Sequence, residues 1–139
     1  MTDNSQPVSE FKSKRGIKRI FAALFYSMDG LRTAWAHEHA FRQELFVVVP
    51  GVVVAMLLPV STIERVILIA VLMLVLIVEL INSSIEAVVD RVSLDRNPLS
   101  KNAKDLGSAA VMLSFVLALI TWALIALPDR KSTRLNSSH

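Results

Sequence analysis

Between Val66 and Asp90 an uncharged run passes without interruption into a row of carboxylates. Val66 through Val78 carries no charge; then come Glu79, Asn82, Ser83, Glu86 and Asp90. No glycine or proline separates the two parts, so one helix holds both. At 100° per residue the five polar residues share one face, with Glu79 and Glu86 roughly 10 Å apart along the axis. An apolar run of this length asks for a bilayer or a large core. A carboxylate at mid-bilayer costs about 2.5–3.5 kcal/mol, and less near the interface. Several on one face therefore point to function: divalent metal, proton transfer or phosphate chemistry.

The rest of the chain supports the bilayer. Of 139 residues, 53% are hydrophobic, which is too apolar for an ordinary soluble domain of this size. Four glycines and five prolines suit long helices, and the absence of cysteine excludes disulfides and thiolate metal sites. The first thirty residues lack an apolar core segment and a small-residue cleavage site, so no signal peptide is expected.

Residues 1–14 are expected to be a disordered N-terminus. Lys12, Lys14, Arg15, Lys18 and Arg19 are a basic cluster, and Ile17, Ile20, Phe21, Leu24, Met28, Leu31 and Trp35 recur at helical spacing. This predicts an amphipathic helix over about 15–36, lying on a membrane surface with its basic side towards anionic headgroups. A first span is expected at about 41–60. Its apolar part is only about 16 residues, against a usual minimum of about 17. Pro50-Gly51 either kinks it or marks where a helix begins afresh. A second span is predicted at about 63–90 and a third at about 104–127. Asn97-Pro98 is a helix stop between them, with Ser100 a candidate cap for the third. Residues 128–139 have no pattern continuous with the third span and are set aside as a non-native or disordered tail.

Lysines and arginines flank the first span at Arg42 and upstream, and fill the second connection at Arg91, Arg96, Lys101 and Lys104; the first connection has only Arg65. The positive-inside rule then puts the N-terminus and the 91–105 connection in the cytoplasm, and the C-terminus outside. The acidic stripe lands at the cytoplasmic interface, where nucleotide is available. No phosphate-binding glycine loop or soluble-kinase signature is present, so nucleotide chemistry would need another site design. His37 and His39 are two apart and do not make a helical zinc pair. Lys104 suits phosphate as a point charge and suits a membrane anchor equally well.

Three blocks carry a resemblance: Val78-Glu-Leu-Ile-Asn-Ser-Ser-Ile-Glu-Ala-Val-Val-Asp-Arg91, Trp35-Ala-His-Glu-His-Ala-Phe-Arg-Gln-Glu44 and Ala103-Lys-Asp-Leu-Gly-Ser-Ala-Ala110. In order and spacing they resemble the prokaryotic diacylglycerol kinase family, over about residues 15–127. The resemblance implies an all-α membrane protein with an N-terminal amphipathic surface helix and three transmembrane helices, assembled as a homotrimeric bundle in the bacterial inner membrane. It implies transfer of the ATP γ-phosphoryl group to diacylglycerol, with Mg²⁺ as cofactor.

By the same resemblance Glu79 is the catalytic base, and Glu38 and Glu86 hold the metal against the ATP phosphates. Arg19, Tyr26, Asp95, Arg96, Asn97, Lys104 and Asp105 join them as nucleotide contacts. Lipid-side positions are Arg19, Arg32, Thr33, Ala34, Trp35, Ala40, Phe41, Arg42, Gln43, Glu44, Glu79, Ser108 and Trp122. Asn82 and Asp90 support the site. Undecaprenol is the alternative substrate within the family. From a different class, a non-enzymatic membrane subunit could use the acidic stripe to bind a cation or relay protons.

Overall fold

The structure, a computed structural model, describes residues 5–92 and 97–127, with side chains from residue 14 onward. Every secondary-structure element among them is a helix: α1 (Ser5–His37), α2 (His39–Leu57), α3 (Thr62–Val92) and α4 (Pro98–Ala126). The chain divides into two compact units, one ending at Glu38 and one starting at His39.

The first unit is α1. It begins at Ser5, inside the segment expected to be disordered. Pro7 falls in the first turn, where its missing N–H and fixed φ are tolerated, and nothing between it and the basic cluster breaks a helix. Ile17, Ile20, Phe21, Leu24, Met28 and Leu31 are all exposed. The helix ends at His37, and the Glu38 N–H bonds to the Ala34 carbonyl at 2.9 Å.

In the second unit α3 packs against both α2 and α4. Neighbours in this unit run antiparallel. Position 51 on α2 meets Leu72 on α3, while Arg65 reaches back to Ala55. On the other side Lys104 meets Asp90 and Trp122 meets Leu68. All three helices are long and apolar enough to cross a membrane. Their outward faces carry exposed Phe46, Leu57, Leu113 and Leu124, a surface suited to a bilayer.

Without a hydrophobic drive between helices in lipid, close packing must hold them together. Accordingly α4 buries a seam of small residues, Gly107, Ser114 and Ala118, against α3. Val71, Val75 and Ala118 form a core cluster with Trp122 packed on it. The Trp122 indole N–H donates to the Leu68 carbonyl at 3.2 Å. α2 runs through Pro50 without a break, so the residue starts no new helix.

Local signals set the ends. Ser61 caps α3: its hydroxyl oxygen accepts from the Glu64 N–H at 3.2 Å and its O–H donates to the Glu64 carboxylate at 3.0 Å. The cap of α4 is Asn97, not Ser100; its side chain accepts from the Leu99 N–H at 2.8 Å, with Pro98 opening the helix. An Asx oxygen before a first-turn proline satisfies an amide the helix cannot, whereas Ser100 already lies within the first turn.

Arg65 has a structural use. Its Nε–H donates to the Ala55 carbonyl and its Nη2–H to the Leu58 carbonyl, each at 3.0 Å. The Ala55 carbonyl lies in the last turn of α2, where no helical N–H follows; the Leu58 carbonyl, just past the helix, also accepts from the Val60 N–H at 2.9 Å. Replacing Arg65 with Ala is expected to cost about 2 kcal/mol, since hydrogen bonds from a charged donor are worth about 1.5–3 kcal/mol. Arg65→Lys should recover only part, for want of the two-pronged geometry. Unfolding in mixed micelles measures it; an unchanged midpoint in Arg65→Ala would show that the turn closes without these bonds.

Candidate functional site

α3 carries Glu79, Asn82 and Glu86 down one face, as the helical spacing requires. Glu79 is 5% exposed and Asn82 8%, while Glu86 is half-buried and Asp90 exposed. The stripe thus grades from buried to solvated along one helix.

Opposite Glu79, α2 presents Glu44, 7% exposed, with the two carboxyls within hydrogen-bonding reach of each other. Antiparallel packing brings them to one level, since Gly51 meets Leu72 and both carboxylates lie seven residues from that contact. The resemblance named Glu44 among the lipid-side positions, together with Glu79. It gave no sign that the side chain turns inwards to a second carboxyl.

Both carboxylates line one end of a cavity of about 590 Å³ between α2, α3 and α4. Its other walls include Val48, Leu72, Val75, Phe115 and Ala118, and Trp122 lies at the far end. Ala40 and Gln43, both expected on the lipid side, also line it. Phe41 does not; it is buried in the helix packing. Arg42 turns to His39, with Nη2 and Nδ1 2.9 Å apart, and Ser108 is exposed away from the cavity.

Beyond Glu79 lies the polar end. The Asn82 amide donates to Glu86 at 3.4 Å, while the buried Asn82 carbonyl oxygen has no hydrogen-bond partner. Gly107 is the reason α4 can pass here: a Cβ at that position would overlap the Asn82 oxygen. Two turns further out, Lys104 Nζ lies 2.5 Å from Asp90, and Lys101 pairs with Asp105 at 2.7 Å. Both pairs are largely exposed, so they add little stability and can exchange for another anion.

Arg19, Tyr26, Arg32, Thr33, Ala34, Trp35 and Glu38 belong to the first unit. There Arg32 pairs with Asp29 at 3.3 Å. Asp95 and Arg96 lie outside the described residues. Asn97 is a helix cap, and its side-chain oxygen is committed to Leu99.

Among the described residues no group of three or more His, Asp or Glu side chains is placed to hold a metal. Mg²⁺ asks for less, because it binds through one or two carboxylates plus substrate phosphates and water. Glu86, beside an unpartnered amide oxygen, fits a hard oxygen donor set of that kind.

The family described as prokaryotic diacylglycerol kinase matches residues 25–126. A protein of Pseudomonas aeruginosa named diacylglycerol kinase is 54% identical over 119 residues, covering 86% of this chain and 97% of its own length. One of Escherichia coli with the same name is 52% identical over 110 residues, 79% of this chain and 90% of that protein. A Helicobacter pylori protein, again so named, is 44% identical over 121 residues, 85% and 91% of the two chains.

Proposed function

The chain belongs to the prokaryotic diacylglycerol kinase family, and from that premise we propose that it transfers the γ-phosphoryl group of Mg·ATP to the free hydroxyl of diacylglycerol, yielding phosphatidic acid. The reaction runs at the cytoplasmic face of a bacterial inner membrane, with the N-terminus inside and the C-terminus outside, in a homotrimer. The carrying observation is the gradient along α3: a buried carboxylate facing an apolar cavity, then polar and ionic groups reaching the solvent. A substrate with a hydroxyl head and apolar tails matches the inner part, and a polyanion matches the outer part.

Phosphoryl transfer asks the protein mainly to position the reactants, neutralise charge and orient the nucleophile. Glu79 accepts the lipid hydroxyl proton as the oxygen bonds to the γ-phosphorus and the bond to the β-bridging oxygen breaks, releasing ADP. Glu44, within reach of Glu79, orients it. Glu86 would hold Mg²⁺, which would supply charge neutralisation on the phosphates; the resemblance gives Glu38 the same role. Asn82 fixes the Glu86 carboxylate. Lys104 leaves Asp90 for a phosphate oxygen, with Asp105 beside it on α4; Arg19 and Tyr26 are nucleotide contacts by the resemblance.

The test is label transfer from γ-labelled ATP to short-chain diacylglycerol and to undecaprenol in mixed micelles, with and without Mg²⁺. Mg²⁺-dependent labelling of diacylglycerol is expected. Labelling of undecaprenol alone would keep the mechanism and change the substrate. No labelling of either, by folded protein, would return the acidic stripe to cation binding.

A further inference from the structure

We propose that the cavity between α2, α3 and α4 is the channel for one acyl chain of the lipid substrate, and that Trp122, at its far end, sets the length of chain accepted. The inference rests on the kinase reading and names a specificity determinant of the same site.

Three observations carry it. First, the polarity is one-ended. Between the carboxylates and the Trp122 ring the walls are aliphatic or aromatic, including Val48, Leu72, Val75, Phe115 and Ala118. A peptide or nucleotide would bury unpaired polar groups along such a wall, at a cost of about 1–3 kcal/mol each. A hydrocarbon chain attached to one hydroxyl-bearing head leaves none.

Second, the channel has a defined depth. Trp122 bonds to Leu68, and Glu79 lies eleven positions further along α3, roughly 16 Å at helical rise. That is the scale of a medium-length acyl chain, with the head at the carboxylates.

Third, the end wall is fixed. The indole is packed on the core cluster and hydrogen-bonded through its N–H, so it does not swing aside freely for a longer chain. Midway, the channel is open because residue 51 is glycine. A Cβ there would lie 2.8 Å from a terminal carbon of Leu72, which itself lines the cavity.

Two variants should therefore move chain preference in opposite directions. Trp122→Ala deepens the channel, and its kcat/KM ratio for dioleoyl over didecanoyl glycerol should rise about tenfold over wild type, a few methylenes in a hydrophobic pocket being worth at least that. Gly51→Ala drives Leu72 into the channel, and the same ratio should fall. Unchanged ratios in both variants, with turnover intact, would overturn the proposal while leaving the kinase reading in place. If wild type phosphorylates no diacylglycerol, the kinase reading falls and a binding readout decides the channel. In mixed micelles, diacylglycerol brominated at the chain end should quench Trp122 emission, taken as wild type minus Trp122→Phe. The quenching should be saturable, relieved by unbrominated lipid, and stronger than with bromine near the glycerol. Equal quenching from both positions, or none, would overturn the proposal.

Discussion

Glu79→Gln is expected to lower kcat for diacylglycerol phosphorylation by about 10²- to 10⁴-fold, the usual worth of a positioned general base. The substitution keeps shape and hydrogen bonding but cannot take a proton. Glu79 is 5% exposed and lies beside Glu44, and a glutamine amide can still hydrogen-bond to that partner. The fold should therefore survive, and KM for ATP should change little, because the groups proposed for the nucleotide in the second unit, Glu86, Lys104 and Asp105, lie further along α3 and on α4. Glu44→Gln provides the comparison. Its amide can still orient the Glu79 carboxylate, so its loss should be clearly smaller; Glu44→Ala, which cannot, should lose more than Glu44→Gln. Initial rates with helicity and oligomeric state measured on the same samples decide it. Near-wild-type turnover in Glu79→Gln would remove the base from Glu79.

The sequence made the helices legible because their signals are local. An uncharged run, a proline after an Asx residue and a row of carboxylates each fix a feature within a few residues. Two expectations missed, and one of two alternatives at Pro50 fell, for equally physical reasons. Ser100 lost the cap to Asn97 because the proline after Asn97 starts the helix earlier. Pro50 sits inside a continuous helix, a placement that helices packed in a membrane tolerate. The helix of the first unit starts at Ser5 because Pro7 is harmless in a first turn.

From spacing alone the site was legible only along α3, where residues on one helix keep their order; Ala40, Gln43, Glu44 and Trp122, which line the cavity, entered through the resemblance. What α2 and α4 bring to it depends on register between helices. The facing of Glu44 on Glu79, the reach of Trp122 to Leu68 and the closeness of Gly107 to Asn82 are long-range facts with no local signature. Small residues are the one hint, since Gly51, Gly107, Ser114 and Ala118 fall where helices touch or a cavity opens. Sequence shows such residues without showing what they touch.

Gly107→Ala tests that register most sharply, because two effects of opposite sign compete. In a free helix the change from glycine to alanine stabilises by about 1 kcal/mol. Gly30, where a Cβ meets nothing within 4 Å, should show that gain as Gly30→Ala. At position 107 the new methyl overlaps the buried Asn82 oxygen. Either Asn82 rotates and gives up its contact with Glu86, or α4 moves away from α3. Overpacking of this kind costs about 1–3 kcal/mol, so net destabilisation is expected. Activity should fall further, since a displacement near 1 Å at a reacting centre can cost about 10²-fold. Adding Asn82→Ala removes the obstacle. The double variant should regain stability beyond the sum of the single changes but not activity, because the partner of Glu86 is gone. A stabilised, active Gly107→Ala would mean that α4 does not approach α3 at Asn82, and the polar end of the site would have to be rebuilt from other residues.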